Sequence, residues 1–173
     1  MSTIETPRLR LRPLQATDAP VAYLWLTDAE IMRYMPTGPD HTVQQVEARL
    51  ARYIAHQDRH GYSRWLIFDR ATGEPIGDAG LLTLPETGEI ELGYRLVKPR
   101  WGQGLATEAA QGWLAYAFDH LGLTDLIAFS HPANSASVRV MQKCGFHLRR
   151  HDQVGGMEVV VYGIQRSTIT GQG

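Results

Sequence analysis

Cysteine is nearly missing from this chain, with Cys144 the one copy in 173 residues. It has no partner for an intramolecular disulfide, and without cysteine pairs a thiolate zinc site is excluded. A reducing, cytoplasmic setting is the expectation. An excess of one charge is missing too: 17 Lys and Arg stand against 18 Asp and Glu, a net charge of -1. No broad basic field is therefore offered to nucleic acid or to an anionic membrane, and any anionic ligand must be held locally. No apolar run approaches the ~18 residues of a membrane span, and Met1-Ser-Thr-Ile-Glu-Thr-Pro has no basic segment leading into an apolar one. The chain reads as neither exported nor membrane-bound. What is present, 43% hydrophobic and 20% charged residues, is the composition of one ordinary globular domain. Residues 1–166 are read as that domain and 167–173 as a loose tail.

Arg8-Leu-Arg-Leu-Arg-Pro-Leu14 alternates with period two and predicts a half-buried strand, Leu9 and Leu11 inward and the arginines toward solvent. Thr17 is the expected cap of a first helix carrying Val21, Leu24, Trp25 and Leu26, which ends before the Met35-Pro-Thr-Gly-Pro39 turn. Thr42 followed by Gln45 spells a capping box for a second helix reaching Gly61. Arg64–Asp69, Glu74 to about Leu84, and Glu89–Val97 then read as strands of an antiparallel meander. After Lys98-Pro-Arg-Trp-Gly-Gln-Gly the period becomes helical through Ala106, Ala109, Trp113, Ala117 and Leu121, and Gly122 stops it. Leu126–Ser130 is a buried strand, Asn134–Lys143 a helix, and Phe146 to about Ile164 a hairpin turning at Gly155-Gly156.

The strand, glycine turn and helix around Trp101-Gly-Gln-Gly-Leu-Ala-Thr-Glu bring backbone N–H groups close to any anion at the helix start. A P-loop would need Gly-Lys-Ser/Thr here, and a dinucleotide fingerprint a small residue where Thr107 stands, so neither spelling fits. Taken alone, the turn suits either a phosphate or a plain tight connection.

Those residues resemble motif A of the GNAT N-acetyltransferases, whose loop reads Gln/Arg-x-x-Gly-x-Gly/Ala. Here Trp101 occupies the Gln/Arg position. Thr6-Pro-Arg-Leu-Arg-Leu-Arg-Pro-Leu with Asp18, Glu91-Leu-Gly-Tyr-Arg-Leu, and Asn134-x-x-Ser137-x-x-Val140-Met141-x-Lys143-x-Gly145-Phe146 are similar to the ribosomal-protein N-terminal acetyltransferase branch, the RimJ/RimL type. The resemblance implies the α+β GNAT fold, with a mixed, mostly antiparallel sheet of about six to seven strands flanked by about four helices. That sheet is splayed between the strands near 89–97 and 125–131. It also implies acetyl-CoA as co-substrate, its pantetheine amides on backbone groups of Leu96 and Val97. The pyrophosphate would lie among Gly102, Gln103, Gly104, Leu105, Ala106 and Thr107, with Asn134 against the cofactor arm.

Acetyl transfer needs a neutral amine, a stabilised oxyanion and a proton for the departing thiolate. The resemblance makes Ser137 the candidate acid; Glu91, alternating with Leu92 on its strand, is the candidate base, with His131 in reserve. Tyr94, on the strand face opposite Glu91, and Trp101 are read as packing residues. His56 with His60 lacks a metalloprotease glutamate, because Gln57 stands between them, and His147 with His151 falls in a strand; no metal is expected. Cys144 is read as a small buried residue and not an acetyl carrier, which favours direct transfer in a ternary complex. The expected acceptor is a protein N-terminal amine or a small amine, and a homodimer is possible. A non-catalytic acyl-CoA sensor or interaction module is the alternative.

Overall fold

The structure, a computed structural model, describes residues 2–167. Most of the tail expected at 167–173 lies outside them. In chain order the elements are β1 (Ile4–Glu5), β2 (Leu9–Pro13), α1 (Ala19–Leu26), α2 (Val43–His60), β3 (Arg64–Asp69), β4 (Pro75–Thr83), β5 (Ile90–Leu96), α3 (Leu105–Asp119), β6 (Asp125–Ser130), α4 (Ser135–Lys143), β7 (His147–Val154) and β8 (Met157–Gln165).

Local chemistry explains most of the boundaries. Thr42 Oγ1 accepts from the Gln45 amide at 3.1 Å, and the Gln45 side chain accepts in return from His41 N at 2.6 Å, one residue earlier than a standard capping box. Gly61, at φ 81°, ends α2 in the left-handed conformation that a glycine adopts without cost. The start of α1 departs from expectation. Residues Ala16–Asp18 form a 3-10 turn that takes in Thr17, and Asp18 stands at the N-cap position of α1 without capping it through its side chain; its carboxylate instead accepts from Gln15 N at 2.8 Å and closes the 3-10 turn. The same carboxylate takes both terminal nitrogens of Arg12 at 2.8 Å, and that guanidinium lies 5.1 Å from the centre of the Phe68 ring. Arg12 is therefore folded over the sheet and does not face solvent.

The described residues form one eight-stranded sheet in the order β1-β2-β3-β4-β5-β6-β8-β7. The strand beyond the expected seven is the two-residue β1. Every pairing is antiparallel except β5 with β6, because α3 carries the chain back to run in the direction of β5. Helices cover both faces. Trp65 and Ile67 of β3 point to one side, where Ala109, Trp113 and Ala117 of α3 pack. Leu66 points to the other, among Trp25, Val46 and Leu50 of α1 and α2. Trp113 is fully buried, edge-on to Trp65 with ring centres 4.6 Å apart, and its indole N–H donates to the Ala79 carbonyl at 3.0 Å. Truncating such a residue to alanine costs about 3–5 kcal/mol.

What positions the site is the weakness of the β5–β6 seam. It holds one bridge, Glu91 opposite Ile127, beyond which the two strands diverge toward Leu96 and Ser130.

Candidate active site

The glycine turn leaves β5 through a 3-10 turn at Lys98–Arg100 and enters α3 with Gly102 at φ 72° and Gly104 at φ 75°. An L side chain at either position would be strained. The first intrahelical bond is Glu108 N to Gly104 O at 3.1 Å, and no side chain caps α3. The amides of Leu105, Ala106 and Thr107 thus lack intrahelical acceptors, whereas α2 and α4 are capped by Thr42 and Asn134. An uncapped helix start of this kind binds anions.

One arginine expectation changes here. Arg8 does not simply face solvent: NH1 donates to Gln103 O at 2.8 Å and Nε to Glu108 Oε2 at 2.6 Å, which ties β2 to the underside of the turn. Glu108 also accepts from Thr6 Oγ1 and from the Arg8 amide. Burial acts to raise its pKa, but these bonds outweigh burial and hold the carboxyl below its usual range. Gln103 is tied down at its side chain and carbonyl. Its side-chain amide donates to Pro99 O at 3.0 Å and its carbonyl serves Arg8, so its side chain is held away from the cavity that Gly102, Gly104, Leu105, Ala106 and Thr107 line.

Alternation in the β4–β5 ladder decides which backbone groups face the seam. Val97 N donates to Ile76 O at 2.9 Å and Val97 O accepts from Arg100 N at 3.0 Å, so Val97 is turned away, against expectation. Hydrogen-bonded and non-bonded pairs alternate along an antiparallel ladder, which turns the N–H and C=O of Tyr94 and Leu96 toward β6. Leu96 and Tyr94, and not Val97, thus present backbone groups to the seam. The Leu96 carbonyl accepts from the Trp101 indole at 2.8 Å, leaving its N–H for the seam; Trp101, 45% exposed, forms a lip over the strand end.

Across the seam stands α4. Asn134 caps it, its side-chain oxygen accepting from Ser137 N at 3.3 Å, and both residues line the cavity. Tyr94, read from sequence as packing, reaches over from β5. Its hydroxyl is 3.0 Å from the Ser137 carbonyl oxygen and 3.1 Å from Ser137 Oγ. Burial pushes the phenol well above its usual pKa, and the hydrogen bond with Ser137 offsets only part of that.

Glu91 reaches the cavity from the opposite face of β5, though not as a free carboxylate. It is 5% exposed and accepts from Arg64 NH2 at 2.7 Å, while Arg64 NH1 donates to Gly80 O at 2.6 Å. Gly93 makes this possible, since a β-carbon there would collide with the Arg64 guanidinium. His131 is likewise no free base: Nδ1 accepts from Ala133 N at 3.0 Å, and the ring stacks on Tyr34 with centres 5.3 Å apart. Cys144 does not line the cavity, and burial pushes its thiol up to about 11. His56 binds Tyr62 O through Nδ1 and the Thr83 amide through Nε2, which leaves neither nitrogen for a metal. Among the described residues no group of three or more His, Cys, Asp or Glu is placed to hold an ion.

These parts surround one cavity of about 570 Å³. Ile31, Arg33, Tyr34, Met35 and Pro36, from the connection between α1 and α2, also line it.

A family model for the acetyltransferase (GNAT) domain matches residues 8–147. The chain belongs to the GNAT acetyltransferase family. A Bacillus licheniformis relative described as an uncharacterized N-acetyltransferase, p20, is 30% identical over 167 residues, covering 94% of each chain. Among solved structures, an acetyltransferase from Agrobacterium tumefaciens superposes with a TM-score of 0.85 at 28% identity, over 96% of this chain and 95% of that one. RimL, a ribosomal L7/L12 alpha-N-protein acetyltransferase solved with coenzyme A, has a TM-score of 0.80 at 18% identity, over 95% and 98% of the two chains. The expected GNAT fold is thus confirmed, and the chain is an N-acetyltransferase of a family that uses acetyl-CoA. The non-catalytic sensor gives way to an enzyme. Among the described residues, no helix of this GNAT chain is long and apolar enough to cross a membrane.

Proposed function

We propose that this enzyme moves the acetyl group of acetyl-CoA to a primary amine by direct attack within a ternary complex. The observation that carries the reading is a convergence: the uncapped start of α3, the open backbone edge at Tyr94 and Leu96, and the Tyr94–Ser137 hydroxyl pair all meet in one cavity. The pyrophosphate would lie on the amides of Leu105, Ala106 and Thr107, and the pantetheine arm along Tyr94 and Leu96 with Asn134 beside it. Arg139 and Lys143 of α4 line that end of the cavity without an ion pair among the described residues, which suits a polyanionic co-substrate.

In the reaction the amine lone pair attacks the thioester carbonyl carbon. The C–N bond forms, the C–S bond breaks, and the leaving thiolate takes a proton from the Tyr94–Ser137 pair. The proton left on nitrogen passes through water and restores the hydroxyl. Burial keeps the Tyr94 phenol protonated throughout the neutral range while making it a weaker acid, so donation runs through the hydrogen-bonded pair with Ser137 as the thiolate charge develops. Cys144, protonated and outside the cavity, offers no covalent route.

The acceptor is an amine of low basicity. Glu91 is paired with Arg64 and Glu30 with Lys98, so no lining carboxylate is free to take a proton from a lysine-like amine at ~10.4, whereas an N-terminal α-amine at ~7.7–8.0 sheds its own. The spelling of residues 134–146 supports the RimJ/RimL-type branch. Thermal-shift titration with acetyl-CoA, CoA, NAD and ATP tests the cofactor. At ~100 times its dissociation constant a ligand adds about 2.7 kcal/mol of stability, and a response to NAD or ATP in place of the two CoA species would overturn the reading.

A further inference from the structure

The ionisable groups lining the cavity do not balance. Each carboxylate is committed: Glu30 lies 2.6 Å from Lys98 Nζ and Glu91 2.7 Å from Arg64 NH2. Of the cations, Arg95 and Arg100 are held by Asp78 and Asp69. Arg139 and Lys143 belong to the α4 end, assigned above to the co-substrate. That leaves Arg33, an exposed residue on the α1–α2 connection and so on neither α3 nor α4, without an ion pair among the described residues, its guanidinium 5.1 Å from the centre of the Tyr34 ring.

The same connection is held against the β6-β8-β7 panel. Tyr34 stacks on His131 just beyond β6, and Pro36 meets the β7–β8 turn so closely that a β-carbon on Gly155 would lie 3.2 Å from its own. Arg33 therefore sits on a segment pinned at two points, both on the β6-β8-β7 side of the seam.

Resting on the acetyltransferase reading above, we propose that the acceptor is a compact amine that also bears a carboxylate or phosphate, and that Arg33 is the specificity residue that recognises it. An anion facing Arg33 gains a charge-assisted hydrogen bond, whereas a polyamine or aminoglycoside meets an unpaired guanidinium and finds no free carboxylate.

The test uses acceptors in matched pairs whose reacting group is a weakly basic α-amine, glycylglycine against glycylglycinamide and Ser-Glu amide against Ser-Gln amide, with O-phosphoserine amide, spermidine and an acidic decapeptide alongside. The expected result is a kcat/KM about tenfold higher for the anionic member of a pair, equivalent to about 1.4 kcal/mol. The gap should close in Arg33→Ala and survive in part in Arg33→Lys, with the thermal shift by CoA unchanged in both variants. Preference for spermidine, use of the decapeptide but of none of the compact acids, a pair preference that Arg33→Ala leaves intact, or turnover of no anionic amine would each overturn the proposal. The CoA shift in the same samples separates the two failures: if it is present, only the acceptor inference falls; if absent, the cofactor reading falls with it.

Discussion

The phenol of Tyr94 spans the seam of the sheet, 3.1 Å from Ser137 Oγ and 3.0 Å from the Ser137 carbonyl, so one side chain of β5 holds the first turn of α4. Removing that hydroxyl separates two roles. Tyr94→Phe keeps the ring and its packing, and kcat should fall by about 10²-fold or more if the phenol supplies the proton. Ser137→Ala should lower kcat as well, with stabilisation by CoA intact in both variants. Steady-state kinetics beside thermal shift checks this, and unchanged kcat in both variants would dismiss the pair as an acid.

The raised phenol pKa sets the pH profile. Because burial moves the titration of Tyr94 above its ordinary ~10, the protonated acid remains available as pH rises through that value. The rate with an N-terminal amine should therefore climb through ~7.7–8.0 as the amine loses its proton and then stay level to about pH 10. A descending limb near pH 9, absent in Tyr94→Phe, would contradict the shift.

Arg8 holds the glycine turn from below and acts as a positioning residue. Arg8→Ala removes the donor to Gln103 O and the partner of Glu108 and should raise KM for acetyl-CoA, roughly tenfold, with kcat little changed. Arg8→Lys should recover part of the loss. A fall in kcat alone would place Arg8 in the chemistry instead.

Gly93→Ala pushes a methyl group into the Arg64 guanidinium and separates it from Glu91 and Gly80. Breaking a buried ion pair costs on the order of 3 kcal/mol, a Tm lower by roughly 6–12 °C in a domain of this size. Calorimetry of the purified variant measures it directly.

His56 links stability to pH. Burial, and with less weight the positive charges near it on His60, Arg64 and Arg59, lower its pKa against the opposing bond to Tyr62 O. The unfolded chain therefore binds a proton more readily than the folded one. The resulting stability is present above the unfolded value of ~6.5 and is lost as pH falls below it toward the folded value. Denaturation midpoints between pH 7.5 and 5 should drop in the wild type and drop less in His56→Gln.

What was legible in the sequence was local. The Thr42–Gln45 cap, the Gly61 stop, the uncapped glycine turn and the Asn134 cap each depend on residues within a few positions of one another, and each folds as spelled. The errors lie where partners are distant. Whether Val97 or Tyr94 turns its amide to the seam depends on register with β4, fixed by the Val97 to Ile76 bond across 21 positions. Arg8 looked like its strand neighbours until the fold brought Gln103, 95 residues on, to its guanidinium. Glu91 looked free because nothing nearby in sequence announces Arg64, and the one hint was a glycine at 93 in a strand, a place where another group approaches closely. Tyr94 had a readable signal too: it alternates onto the face shared by Leu92 and Leu96, the side on which α3 and α4 pack.

The single bridge between Glu91 and Ile127 divides the sheet into a five-strand and a three-strand panel. A ligand lying between the panels acts as a splint across the molecule's most easily opened line. Amide exchange along the divergent ends of β5 and β6 should slow in its presence by more than exchange at β2 or β3. The enzyme would then be most cooperative as a folded body when it is occupied, with turnover periodically releasing the joint that substrate had closed.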